Sequence, residues 1–212
     1  AGARLPRRLA ALAGIGSVAA SAVLALGLGA RFALAPPPGL RYTQTLWTWL
    51  QAGGLTAGIT FRLDALAAVM AVVITLVATL ILVYSSAYLA GDEGYSRFFA
   101  YMDLFVGAML VLVLADNLPL LYLGWEGVGL CSFLLIGFWY NNPDNVRAAM
   151  KAFIVTRIGD AALLVGLLIL FTSLGTLDIP QVLARAPQQW PVGSGIAVAV
   201  AALLLAGAVG KS

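Results

Sequence analysis

The sequence predicts an all-α, polytopic membrane helical bundle, and three observations carry that expectation. The 212 residues are 62% hydrophobic and only 10% charged, with a mean hydropathy of +0.98, whereas a soluble domain carries roughly 25% charged residues. The apolar residues fall in runs of about 20, the length a helix needs to cross the ~30 Å hydrocarbon core. Between these runs stand the Pro, Gly and charged residues that end helices. The net charge of +3 is divided among several loops, so no basic face for nucleic acid is expected.

The elements follow in order. A basic flank, 1–8, holds Arg4, Arg7 and Arg8 and leads into a first span at about 9–30. The flank resembles a signal-peptide n-region, but the apolar stretch after it is long enough to span, so no cleavage is expected. Residues 31–61 form a loop with Pro36-Pro37-Pro38-Gly39, then Trp47, Trp49 and the pair Gly53-Gly54. That pattern predicts two strands in a β-hairpin with interfacial tryptophans. Further spans are expected at about 62–89, 98–115, 118–139 and 147–172. Asn117 serves as cap and Pro119 as first-turn residue of the 118–139 span.

Residues 173–194 form a second loop. Asp178 is its cap, and Ile179, Val182, Leu183 and Ala186 have the spacing of a short amphipathic surface helix. A last span begins at 195 and is still apolar at Ser212. With Ala at position 1, that predicts an internal portion of a longer chain. Placing the basic flank in the cytoplasm puts Arg97, Arg147 and Lys151 on the same side, and Arg31, Arg41, Arg62 and Arg185 on the other. Both long loops then face outward.

The chain has one cysteine, Cys131, and no histidine. No intrachain disulfide, cysteine cluster or histidine-ligated metal is therefore expected within it. Two phosphate-motif decoys fail on context. Gly14-Ile15-Gly16-Ser17-Val18-Ala19 lies in a span with no strand before it. Gly210-Lys211-Ser212 lacks the upstream glycine of a P-loop, where Leu205 stands instead.

Four ionisable residues stand out well inside the predicted spans: Glu126, Arg157, Asp160 and Lys211. A charge at membrane depth costs ~2.5–3.5 kcal/mol on insertion scales, so such residues mark function by default. Arg157 and Asp160 are i, i+3 on one helix and can pair; the plain structural reading is a self-neutralising ion pair. Glu126 has no charged partner on its own helix. Gly124, Gly127 and Gly129 leave room for another helix to supply one. Lys211 either snorkels to an interface or meets a carboxylate. A Glu–Lys pair ~6 Å apart at an effective dielectric near 20 is worth ~2.8 kcal/mol, about two decades of proton affinity. Changing such a separation is the physics of a proton-handling switch.

The run Gly124-Trp125-Glu126-Gly127-Val128-Gly129-Leu130-Cys131-Ser132 resembles the glutamate helix of the L-subunit, or chain 5, family of respiratory complex I. Lys151-Ala152-Phe153-Ile154-Val155-Thr156-Arg157-Ile158-Gly159-Asp160, Gly207-Ala208-Val209-Gly210-Lys211-Ser212 and Ser96-Arg97-Phe98-Phe99-Ala100-Tyr101 resemble the same family. The resemblance implies the first half of an antiporter-like, inverted-repeat fold in the bacterial cytoplasmic membrane, with one family helix ahead of Ala1. It implies that Glu126 and Lys211 form the proton-coupling pair and that Arg157 and Asp160 form an ion pair. It also implies other membrane-arm subunits as partners, adjacent antiporter-like ones above all. FMN, iron–sulfur clusters, NADH and quinone would sit elsewhere in the complex, with no cofactor or metal on this chain. On that basis Arg157→Ala is expected to harm assembly more than pumping. The alternative is the large subunit of a multisubunit Na⁺/H⁺ antiporter, which shares the Glu–Lys logic without redox chemistry. A purely structural scaffold would leave Glu126 and Lys211 as costly accidents.

Overall fold

A computed structural model describes residues 6–211 of the chain; Arg4 of the basic flank and Ser212 fall outside them. Helix α1 (Arg7–Leu34) starts directly after Pro6 and stops at the Pro36–Pro38 run, where the prolines can neither donate nor continue a helix. Strands β1 (Tyr42–Ala52) and β2 (Leu55–Leu63) pair antiparallel. Gly53 (φ 55°) and Gly54 (φ 87°) make the two-residue turn, the positive-φ pair that a tight hairpin requires. At 11 and 9 residues, these strands are long for a loop insertion, and two bulges in β1 increase their twist.

Four helices begin at side-chain caps. Asp64 accepts from the Ala67 amide at 2.9 Å to open α2 (Ala65–Tyr88). Helix α3 (Tyr95–Leu114) follows a tight turn. Asn117 accepts from the Leu120 amide at 2.9 Å to open α4 (Leu118–Ile136), with Pro119 in its first turn. Asn142 caps α5 (Pro143–Leu174), which ends at Gly175 in the left-handed conformation, φ 68°. Asp178 caps α6 (Ile179–Gln189), and α7 (Gly195–Lys211) completes the described residues. Five helices, α1 to α5, are long and apolar enough to cross a membrane. Helix α7 is equally apolar but shorter within the described residues.

The chain runs up and down through the bundle. At one end the hairpin, the α3–α4 link and the start of α6 are knitted together. Asn117 Nδ2 donates to the Gly58 carbonyl at 2.8 Å. The Asp116 amide donates to Thr60, the Leu118 amide to Leu177 and the Ile179 amide to Asp116. Arg62 reaches Asp64 at 3.2 Å and Asp116 at 3.5 Å. At the other end Arg7 donates to the Ala90 carbonyl at 2.7 Å and Arg97 to that of Phe138 at 3.0 Å. Trp139 donates there to Asp92 at 2.7 Å.

Two apolar clusters fill the interior. Leu82, Phe99 and Val106 centre the one between α1, α2 and α3; Leu167, Leu170, Leu174 and Val200 centre the one between α5 and α7. Large apolar residues such as Leu24, Val69, Leu80, Ile158 and Leu168 are exposed. That costs nothing where the solvent is lipid. Helix α4 bridges the two clusters, and its glycines set how closely. A Cβ on Gly124 would sit 2.6 Å from the Leu112 backbone nitrogen of α3. Helices α5 and α7 meet as closely: a Cβ on Gly159 would lie 2.9 Å from the Gly210 Cα.

Candidate functional site

The polar residues of α4, α5 and α7 converge where these three helices meet. Glu126 comes eight residues after the start of α4, ~12 Å along its axis, close to the middle of a ~30 Å hydrocarbon core. Its carboxylate forms an ion pair with the guanidinium of Arg157 from α5. Arg157 Nη1 also lies 4.0 Å from Asp160, one turn further along α5. One cation thus stands between two carboxylates. The Asp160 side chain is 2% exposed and that of Glu126 20%. The Arg157 guanidinium also lies over the Phe153 ring, 4.6 Å from its centroid, a contact that favours a cation.

Trp125 ties the rest together. Its indole Nε1 donates to Asp160 at 2.5 Å, so Asp160 holds a neutral donor on one oxygen and faces Arg157 with the other. The Trp125 carbonyl accepts from Lys211 Nζ at 2.8 Å, and the same ammonium lies 5.2 Å from the centroid of the Trp125 ring. A Cβ on Gly129 would approach Lys211 Nζ to 2.8 Å, so the glycine keeps the lysine's place open.

All four residues singled out from the sequence are therefore within one cluster, but their pairing differs from the expected one. Among the described residues Glu126 pairs with Arg157, and Lys211 reaches the carbonyl next to Glu126 rather than its carboxylate. The physical reason is reach and shape. The guanidinium fork can face two acids at once, whereas Lys211 arrives beside the α4 backbone. The Arg157–Asp160 pair is present, yet it is the looser half of a three-membered network. Arg157→Ala can therefore no longer be assigned to assembly alone.

Two residues that the sequence reading did not single out also bear on this region. Trp125 was legible only as part of a motif; nothing in its spacing announces a double hydrogen-bonding role. Asp103 lies mid-way along α3, and its Oδ1 is buried without a hydrogen-bond partner. It faces α1, where a Cβ on Gly14 would come within 3.3 Å of its Oδ2, and so lies apart from the α4–α5–α7 cluster. A lone acid in an apolar run was the available signal. No group of three or more Asp, Glu, Cys or His side chains fit to hold a metal occurs among the described residues.

Comparison with known proteins gives concordant findings. A family model described as NADH:quinone oxidoreductase/Mrp antiporter, TM, matches residues 115–212. A second, described as NADH-Ubiquinone oxidoreductase (complex I), chain 5 N-terminus, matches residues 49–99. The chain is 50% identical over 209 residues to NADH-quinone oxidoreductase subunit L of Pseudomonas aeruginosa, covering 99% of this chain and 34% of that one. It is 48% identical to the subunit of the same name from Escherichia coli, with the same coverage. It is 41% identical over 170 residues to NADH-ubiquinone oxidoreductase chain 5 of Metridium senile, covering 79% of this chain and 27% of that one. Among solved structures, the Mrp complex from a Dietzia species aligns over 98% of this chain and 24% of that one. The TM-score is 0.77 at 26% sequence identity. The chain spans about a third of the length of the subunit L relatives it matches.

Proposed function

The chain belongs to the family of NADH:quinone oxidoreductase and Mrp antiporter membrane subunits, and from that premise we propose that its full-length protein is a proton-translocating membrane-arm subunit of NADH:quinone oxidoreductase in a bacterial cytoplasmic membrane. The carrying observation is Arg157 held between Glu126 and Asp160 beside Lys211. At the 4.0 Å that separates Arg157 from Asp160 and an effective dielectric near 20, a unit charge contributes ~4 kcal/mol. Adding or removing one proton in this cluster therefore changes which acid Arg157 favours.

The working cycle has a simple form. With Glu126 ionised, Arg157 faces it and Asp160 keeps the Trp125 indole. Protonating Glu126 cancels its attraction for Arg157, and the guanidinium moves toward Asp160. Lys211 of α7, hydrogen-bonded to the Trp125 carbonyl one residue before Glu126, donates or receives the mobile proton as that local charge changes. Neighbouring membrane-arm subunits relay the change. FMN, iron–sulfur, NADH and quinone chemistry belong to other subunits of the complex in this reading.

The fold likeness to the Mrp complex favours a second reading, the large subunit of a multisubunit Na⁺/H⁺ antiporter. The 50% identity to subunit L, against 26% for the Mrp match, favours the first. Mild-detergent purification of the native full-length protein separates them. Co-purification of flavin, iron and NADH oxidation is the expected result. Their consistent absence, with other small membrane subunits present, would transfer the protein to the antiporter class.

A further inference from the structure

A cavity of about 620 Å³ lies between α1, α2, α3 and the base of the hairpin, away from the Glu126 cluster. That volume is within the ~300–1,000 Å³ of small-ligand sites. Its walls include Leu24, Leu28, Ala71, Leu110 and Leu114, and its mouth is formed by Arg31 and Arg62 with Tyr42 and Gln44. Leu24 and Leu28 are exposed among the described residues, so the cavity opens sideways along α1.

Its depth fits one leaflet. Arg31 comes 24 residues after Arg7 on α1, ~36 Å along the axis. The two arginines thus bracket a ~30 Å hydrocarbon core and lie at opposite headgroup levels. From Arg31 the cavity descends to Ser21, ten residues or ~15 Å deeper, which is about the bilayer midplane. The hydroxyls at its floor are already satisfied: Ser21 Oγ donates to the Ser17 carbonyl at 2.9 Å and Thr75 Oγ1 to that of Ala71 at 2.7 Å. Both hydroxyl protons are thus spent on their own helices.

The charges at the mouth are unequal. Arg62 is engaged by Asp64 and Asp116, whereas Arg31 has no acidic partner among the described residues. We infer that this cleft binds one anionic phospholipid, its phosphate on Arg31 and one acyl chain running down between α1, α2 and α3 to Ser21. Charge complementarity selects the headgroup, and the apolar walls of leaflet depth select the chain. The lipid fills the cleft at the foot of the hairpin.

The test uses the full-length protein in its assembled complex, reconstituted in nanodiscs with phosphatidylglycerol carrying a photoactivatable group on one acyl chain. Peptide mass spectrometry after illumination is expected to find adducts on α1 near Leu24 and Leu28 and on α2 near Ala71. Arg31→Gln should lower that labelling about fivefold, the effect of one basic residue at an anionic surface, and Arg31→Lys should restore most of it. Leu28→Trp, which fills the cleft and keeps the charge, should also suppress labelling. The proposal is overturned by any of three results: no adducts in the cleft, adducts unchanged in Arg31→Gln, or equal labelling by the matching phosphatidylcholine probe. The readout is lipid labelling, so it stands or fails independently of the pumping role.

Discussion

Removing the Arg157 guanidinium leaves Glu126 and Asp160 facing each other with no cation between them. Breaking a fully buried ion pair costs ~3–5 kcal/mol; the cost here is smaller, because the Arg157 side chain is 36% exposed and solvent screens part of it. The substitution removes the one cation whose choice between Glu126 and Asp160 the proposed cycle depends on. Arg157→Ala is therefore expected to lower proton pumping as much as Glu126→Gln does, measured as proton uptake by vesicles at equal complex content. Loss of assembly with normal pumping per complex would restore a purely structural role. Asp92, at the loop end, gives a pH test. The Trp139 indole and then the Gly94 amide hold its carboxyl below the ordinary carboxylate value. A depressed acid stabilises the fold above its unfolded value of 3.8 and loses that contribution as pH falls through the folded one. Trp139→Phe should thus lower the thermal midpoint of the purified protein at neutral pH, with the gap from the parent closing below about pH 4.

At the scale of elements, the close approach of α3 and α4 depends on one missing methyl group. A Cβ at Gly124 would meet backbone, which has no rotamer to escape into, so Gly124→Ala should cost ~1–3 kcal/mol and lower both Tm and assembly. Gly16→Ala, with nothing within 4 Å of the new Cβ, should leave both unchanged. Two helix starts were legible from a capping side chain: Asn117 and Asp178 stand directly before the first residues of α4 and α6. Helix α5 begins at Pro143, ahead of the expected 147, because Asn142 followed by Pro is itself a cap and first-turn signal. Partner choice was not legible. Glu126 visibly needed a cation from another helix, but only tertiary packing shows that Arg157 arrives rather than Lys211. The hidden role of Trp125 has the same origin, since its two hydrogen bonds go to α5 and α7.

At the scale of the whole molecule, the two helical clusters meet at α4, so the helix carrying Glu126 is also the one that joins them. In the proposed cycle a charge change at Glu126 acts on the α4–α5–α7 contacts directly, because its ion pair and the neighbouring Trp125 contacts all run to α5 and α7. The polar groups of the cluster lie near mid-membrane, where water is scarce and charge rearrangement moves side chains. The most direct test is the proton-to-electron stoichiometry of the assembled complex carrying Glu126→Gln in the full-length protein, reconstituted in sealed proteoliposomes. The account predicts near-normal assembly with fewer protons moved per electron, or turnover slowed in step with pumping. Normal stoichiometry and normal turnover in fully assembled enzyme would contradict it.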